Sequence, residues 1–574
     1  MATDYFLTRT TDDDQSNPEV ARLKNGNLVL VWQDWPLDPS GYGVYGSILD
    51  QDLRILRPDI RIPQQTSDSQ VGGQVTALKD GGFAVAWTST GPSKRSGIDD
   101  DWADSYLRIF NADGSARTAE IQLTPQQSND NMLMDVATLG DGSILSVVAH
   151  RQSGANYDLI GYRYTAAGQR IGGPVTLVDD TDQGGEGYYG FNKPNPEIAV
   201  GANGYALAWN GKIDGDSGLV GRSIHFQTFK NNGTSAGPER IVFVDRSDSF
   251  LYQTDPHVTA LSGGRYAVTW NRTTDGDDSY EIDTALRVLD ASGRALTGVI
   301  RVNGGNTAGE QSVGDVIDIG GGKLLVTYFA INRAESTSSH DYFDLMGRIF
   351  TTKGQAVTGA VRMGQYTLED MGDGNAVLAD DGSVIVVREA EVLDDIDADI
   401  VGTVFTWPLP AQNGDAGANR LVGTKLQDRM NGRSGADTIL GDDGNDRLNG
   451  GNGGDRLSGG NGSDRLNGGA GSDRLSGGSG RDLLSGGTGN DVLTGNGGPD
   501  SFVFREGFDR DVITDFRDNA DTIRLLDFGI NSFAQARSYA IQSGDDVIFR
   551  FGDGDVLTIH DTTINALAND IAFV

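Results

Sequence analysis

The chain has 574 residues, enough for roughly two to four domains, and carries 81 acidic against 46 basic residues for a formal charge of −35. That charge opposes nucleic acid and anionic membrane as partners and favours cations. Cysteine is absent, which removes disulfides and thiolate metal sites, and no apolar run approaches the roughly 20 residues of a membrane span.

The N-terminus, MATDYFLTRTTDDD, has neither a basic n-region nor an apolar h-region, so no Sec signal peptide is expected. From there seven segments share one grammar, among them PEVARLKNGNLVLVWQD, PEIAVGANGYALAWNG and PHVTALSGGRYAVTWNR. Their first core residues are read as Val20, Val75, Val136, Ile198, Val258, Val316 and Val377, at spacings of 55 to 62 residues. Each segment reads as strand, tight glycine turn, strand; a third strand such as SYLRIFN and a fourth such as EIQLT follow. Four antiparallel strands repeated seven times predict an all-β, seven-bladed β-propeller. The seventh unit stops at its third strand, VGTVFTW, and Phe6-Leu7-Thr8-Arg9-Thr10 is expected to supply the fourth, closing the ring. The pattern resembles blade repeats of large secreted bacterial calcium-binding proteins.

Trp32, Trp87, Trp209, Trp270 and Tyr328 end the second strands in register and are expected to pack between blades, with carbohydrate stacking as the alternative. Long loops such as DWPLDPSGYG and TSTGPSKRSGIDDDWADS share one face, where a binding surface for a glycan or protein is expected. On that face the residues before each inner strand ring the channel mouth: Glu19, Gln74, Asp135, Glu197, His257, Asp315 and Asn375. Four acids around one axis repel unless a cation, water or ligand sits among them, which marks a candidate axial polar site beside the reading as a solvated rim.

No enzymatic motif stands out. The five histidines, His150, His225, His257, His340 and His560, form no HExxH, and neither GxSxG nor a phosphate loop occurs. His150, after the second strand of blade three, is the single candidate general base; the alternative is a surface or packing histidine.

From Gly432 the chain runs GRSGADTIL, GDDGNDRLN, GGNGGDRLS and on through GNGGPDSFV, eight in-frame GGxGxDxUx units preceded by the degenerate GDAGANRLV and GTKLQDRMN. A flexible glycine linker has no reason to hold Asp and an aliphatic residue at fixed phase. The six residues GGxGxD are read as a turn exposing carbonyls, and xUx as a short strand whose Ile439, Leu448, Leu457, Leu466, Leu475, Leu484, Leu493 and Phe502 stack inward. With two units per coil, Asp residues two repeats apart, such as Asp455 and Asp473, face a common ion. The candidate ligands are Asp437, Asp446, Asp455, Asp464, Asp473, Asp482, Asp491 and Asp500, with the carbonyls of Gly441, Gly444, Gly450, Gly453, Gly459, Gly462, Gly468, Gly471, Gly477, Gly480, Gly486 and Gly489. An all-oxygen set fits calcium, not zinc or copper.

These units resemble the RTX, or hemolysin-type, calcium-binding repeats, and the resemblance implies a parallel β-roll. Extracellular calcium modules bind at about 10⁻⁴–10⁻³ M, so excess calcium stabilises each site by ~1–3 kcal/mol. Roughly five or six sites then supply on the order of 10 kcal/mol, a domain's whole stability. Without calcium the glycine-rich, acidic segment is expected to be disordered.

Residues 501–574, ending Asp570-Ile571-Ala572-Phe573-Val574, resemble the capping and uncleaved export region of RTX proteins secreted by type I machinery of Gram-negative bacteria. Secreted metalloproteases share such a tail, but their zinc motif is missing here. The expected organisation is propeller 1–408, β-roll 409–500, and cap with secretion signal 501–574. The expected function is a secreted, extracellular calcium-binding protein whose propeller is a binding or adhesion module for a surface glycan or protein. The alternatives are a polysaccharide lyase or hydrolase on the propeller, and a calcium-assembled surface-layer or matrix protein.

Overall fold

A computed structural model describes residues 3–8, 14–38, 41–65, 69–90, 103–124, 131–152, 156–182, 194–212, 222–244, 253–273, 282–303, 311–332, 343–364, 374–391, 398–407, 409–552 and 554–573. Most of the long loop 88–105 expected on the propeller's binding face lies outside these residues, as do Arg9, Thr10, His340 and Val574. The segment 34–43, expected as another such loop, is instead strand over all but residues 39 and 40, because Leu28–Asp38 and Gly41–Leu49 run on as one long hairpin. The chain divides near residues 405 and 406 into two compact units.

The first unit holds seven four-stranded antiparallel sheets. Six are sequential, within residues 14–61, 69–122, 131–182, 197–244, 253–301 and 311–362. In the seventh, Gly374–Leu378, Val384–Glu391 and Ala398–Phe405 are joined by the N-terminal strand Thr3–Phe6, which pairs with the last of them through Thr3↔Val404 to Phe6↔Val401. The ring closes as expected but with a strand three residues earlier than Phe6–Thr10. The cause is electrostatic: Asp4 lies opposite Thr403 and meets Arg388 at 3.4 Å, and both side chains are fully buried. A buried guanidinium without a counter-charge is costly, so the register that delivers Asp4 wins. In this same blade Ala376, not Val377, takes the first core position: its N–H bonds Asp315 as Ile198 bonds Asp135.

Burial of the second-strand aromatics is near complete, from 0% exposed for Trp270 to 3% for Trp32. They are inter-blade core. A second repeated device is an arginine latch on the third strand. Arg108 and Arg348 reach the carbonyls of Ile62 and Val302 on the preceding blade at 2.6 and 2.7 Å, and Arg287 reaches Val242 likewise.

The second unit is a two-sheet parallel roll. Strands of six residues, such as Arg447–Asn452 and Arg456–Asn461, alternate between an eight-stranded and a nine-stranded sheet, each pairing with the strand 18 residues on. Two nonapeptides thus make one coil. The strands are longer than xUx: pairing continues into the leading glycines, as in Gly451↔Gly469. Ile439, Leu457, Leu475 and Leu493 form an inward file on the nine-stranded sheet and Leu448, Leu466, Leu484 and Phe502 one on the eight-stranded sheet, none more than 2% exposed. Beyond residue 500 the sheets continue through Arg510–Ile513, Thr522–Leu526 and Ile571–Phe573, with a cluster of Phe504, Phe508, Phe528, Phe549 and Phe551. Among the described residues no helix is long and apolar enough to cross a membrane.

Candidate functional site

Every coil of the roll brings an Asp to the same place. The backbone N–H of Asp437 donates to Asp455 Oδ1 at 2.7 Å, Asp455 to Asp473 at 2.7 Å, and Asp473 to Asp491 at 2.8 Å. The other flank repeats this from Asp446 to Asp464 to Asp482 to Asp500. One oxygen of each carboxylate is therefore satisfied by the coil before it.

The other oxygen is not. Oδ2 of Asp437, Asp446, Asp455, Asp464, Asp473, Asp482, Asp491 and Asp500 is buried without a hydrogen-bond partner, and so is that of Asp511. A buried carboxylate oxygen with no donor costs free energy that only a cation or a proton relieves. Burial accordingly pushes the carboxyls up: Asp446 to about 9, Asp464 and Asp473 to about 7, and Asp482, Asp491 and Asp500 to about 6. Neighbouring aspartates add to the rise, as Asp464 and Asp428 do for Asp446.

Glycine makes the space. A Cβ on Gly450 would stand 2.4 Å from Asp455 Oδ2 and 2.5 Å from the Gly468 carbonyl oxygen; Gly459 faces Asp464 and Gly477 likewise. The carbonyls of the leading glycines Gly450, Gly459, Gly468, Gly477 and Gly486 thus border the orphaned oxygens. The carbonyls of the fourth glycines Gly444, Gly453, Gly462 and Gly471 each stand against the glycine of the next coil. Carboxylate and carbonyl oxygens are the donors a hard divalent cation takes, so the residues present fit calcium.

Two aspartates beyond the repeats extend the ladder. Asp491 N–H donates to Asp511 and Asp500 N–H to Asp521, across 20 and 21 residues rather than 18. The broken spacing hid both from a nine-residue frame; an Asp preceding an alternating V-I or T-I-R pair was the remaining signal.

In the propeller, Glu19, Gln74, Asp135, Glu197, His257 and Asn375 line one cavity of about 320 Å³. Gln74 and Asn375 each donate an amide to Glu19 at 3.0 Å. Asp135, Glu197 and Asp315 bridge to the next blade, accepting the N–H of Ile198, Val258 and Ala376. Burial raises Asp135 to about 7, and it raises Glu197 well above its ordinary range with Asp315 and Asp135 adding to the effect. Asp315 is raised by burial and held back by His257. One ligand atom each of Glu197, His257 and Asp315 lies within 4.8 Å of the others.

A second cavity, of about 630 Å³, is lined by His150, Gln122, Thr124, Tyr162 and Arg170, with Nδ1 of His150 against Asn131 Oδ1. The Arg170 guanidinium sits 5.5 Å from the Tyr162 ring centre. Among the described residues no carboxylate lines this groove.

Blade four contains a Ser–His–Glu string that the sequence did not suggest. Ser223 Oγ is 2.6 Å from His225 Nε2, and His225 Nδ1 faces Glu239. Ser223 is wholly buried, and its hydroxyl also reaches the Gly211 carbonyl at 3.0 Å. The string is a packing device.

Residues 413–448, 449–484 and 476–510 match the RTX calcium-binding nonapeptide repeat. No curated protein matches the chain. Among solved structures, a protein of unknown function from Dyadobacter fermentans is 12% identical over 70% of this chain and 97% of that one, with a TM-score of 0.40. An ulvan lyase, described as a new family of polysaccharide lyase, is 10% identical over 68% of this chain and 94% of its own, at 0.42. The Trypanosoma rangeli sialidase is 10% identical over 70% of this chain and 59% of its own, at 0.38. The roll of this chain is built from RTX calcium-binding repeats, carried behind a seven-bladed propeller.

Proposed function

We propose that this is a type I-exported extracellular protein, folded outside the cell by calcium held on the Asp ladder, whose propeller binds a surface glycan or protein. The observation that carries the reading is the file of buried, donorless Oδ2 atoms. Asp437, Asp446, Asp455, Asp464, Asp473, Asp482, Asp491 and Asp500 would hold the ions, with the leading-glycine carbonyls completing the oxygen set. Calcium would supply the positive charge that these carboxylates otherwise lack, Asp500 excepted, whose Oδ2 has the Arg517 guanidinium at 3.6 Å; the chain's part is to hold the oxygens one coil apart. Export machinery would take the chain unfolded through residues 501–574. The axial ring around Glu197, His257 and Asp315 is read as a polar or cation site on the same electrostatic ground.

Equilibrium dialysis of the full chain against calcium tests the reading. Several ions per chain are expected, with fewer after Asp464→Asn/Asp473→Asn; no bound calcium would end it. Secretion that persists without residues 501–574 would remove the export part alone.

The His150–Tyr162–Arg170 groove favours a second reading, a polysaccharide-active enzyme. Depolymerisation of an acidic polysaccharide that His150→Ala abolishes would support it; turnover by neither protein would leave the groove a binding site.

A further inference from the structure

The outer surface of the roll carries rows of arginine. In the eight-stranded sheet Arg429 pairs with Arg447 and Arg447 with Arg465, so three guanidinium side chains leave successive rungs of one face. All three residues are exposed, while the Met430, Leu448 and Leu466 that follow them point into the core. Parallel rungs repeat at about 4.8 Å. Two residues on, the same face presents Asn431, Asn449 and Asn467 in register, and Asn467 donates to Asn449 at 3.2 Å. Among the described residues none of the three arginines makes an ion pair. In a chain of −35 with 81 acids, an in-register file of unpaired cations is not what average composition produces.

From this juxtaposition we infer that the Arg429–Arg447–Arg465 row is a binding surface for a linear acidic polysaccharide. A polymer with one carboxylate per sugar meets one guanidinium per rung, and the planar fork takes a carboxylate through two parallel hydrogen bonds. The adjoining amide row offers donors and acceptors to sugar hydroxyls. Nucleic acid fits less well. The face lacks aromatic side chains on which bases stack, and the charge of the whole chain opposes a dense polyphosphate. An anionic bilayer would need apolar anchors beside the cations, which these three rungs do not have.

The inference rests on the calcium-folded roll, because the row exists only when successive coils are in register. The test uses the full chain in excess calcium, with polygalacturonate as the probe. Neutral dextran, a single-stranded oligonucleotide and phosphatidylglycerol vesicles are the other arms. Polygalacturonate is expected to bind, more weakly as salt rises, and dextran not at all. Arg447→Gln/Arg465→Gln should weaken binding by about tenfold or more. Arg456→Gln/Arg474→Gln should stay within about twofold, because on the nine-stranded sheet the arginines stop at two rungs, between Thr438 and Val492, with serines in place of the amide row. Circular dichroism with and without calcium monitors folding of each variant; should the double variant fold poorly, Arg429→Gln at the row's end serves. Equal loss in both double variants, no loss in either, or tighter binding to oligonucleotide or vesicle than to polygalacturonate would overturn the inference. A parent chain that responds to calcium but ignores polygalacturonate sinks this inference alone. A parent with no calcium response sinks the reading beneath it.

Discussion

A carboxylate that accepts one hydrogen bond and buries its second oxygen unpaired is a residue set against itself, and Asp464 does this in the middle of the roll. Asp464→Asn removes the charge while keeping an acceptor for the Asp446 N–H. Without calcium the variant roll should be more stable than the parent, by about 1–3 kcal/mol, and with calcium less responsive. Opposite signs are the expected result, with more residual β structure than the parent by far-UV circular dichroism in chelator and a lower denaturant midpoint in calcium; the same sign in both would refute the role. Protons act through the same oxygens. Folded-state values of about 6 for Asp482, Asp491 and Asp500, about 7 for Asp464 and Asp473, and about 9 for Asp446 lie above the unfolded carboxyl near 3.9. The calcium-free fold therefore binds more protons than the unfolded chain. Its stability is fully present below about pH 4 and falls as pH rises through the range from 6 to 9. In chelator, far-UV circular dichroism should show more β structure in mild acid than in mild base, and a pH-independent spectrum would contradict this. Gly471 is the backbone counterpart: at φ +138 a Cβ there would stand 1.8 Å from the Gly453 carbonyl oxygen, so Gly471→Ala should abolish calcium-dependent ordering of its coil.

At the scale of elements, the N-terminal strand closes the seventh blade through a pair buried on both sides, Asp4 with Arg388. Asp4→Ala strands a buried cation and should cost the propeller about 3–5 kcal/mol in a denaturant melt without altering the calcium response of the roll. A loss within about 0.5 kcal/mol would mean that the strand closes the ring by its backbone alone. This pair also shows where the sequence stops being readable. Blade number, strand order and the buried tryptophans follow from period-2 alternation and a recurrence near sixty residues, both local signals. The partner of Arg388 lies 384 residues away, so nothing nearby chose TDYF over FLTRT as the closing strand. In the roll the nine-residue phase located eight aspartates and the inward leucine files. It could not locate Asp511 or Asp521, where extra residues between coils break the phase but preserve the hydrogen bond. Nor did it reveal the arginine row, which follows from DRL repeats only once the 18-residue coil register is known.

On the scale of the whole molecule the two units fold by different physics. Large apolar side chains, interlocking arginines and a last blade completed by the N-terminal strand hold the propeller together. The roll has two inward files of apolar residues, one per sheet, and nine buried, donorless carboxylate oxygens, so its fold is conditional on what neutralises those oxygens. The repeats are expected to stay unfolded where calcium is scarce and to order where it is plentiful. Hydrogen exchange of the full chain, followed by mass spectrometry with excess calcium and with chelator, tests this most directly. Protection over residues 429–513 should appear only with calcium, while the propeller strands stay protected in both. Equal protection of residues 429–513 in chelator and in calcium would contradict the account.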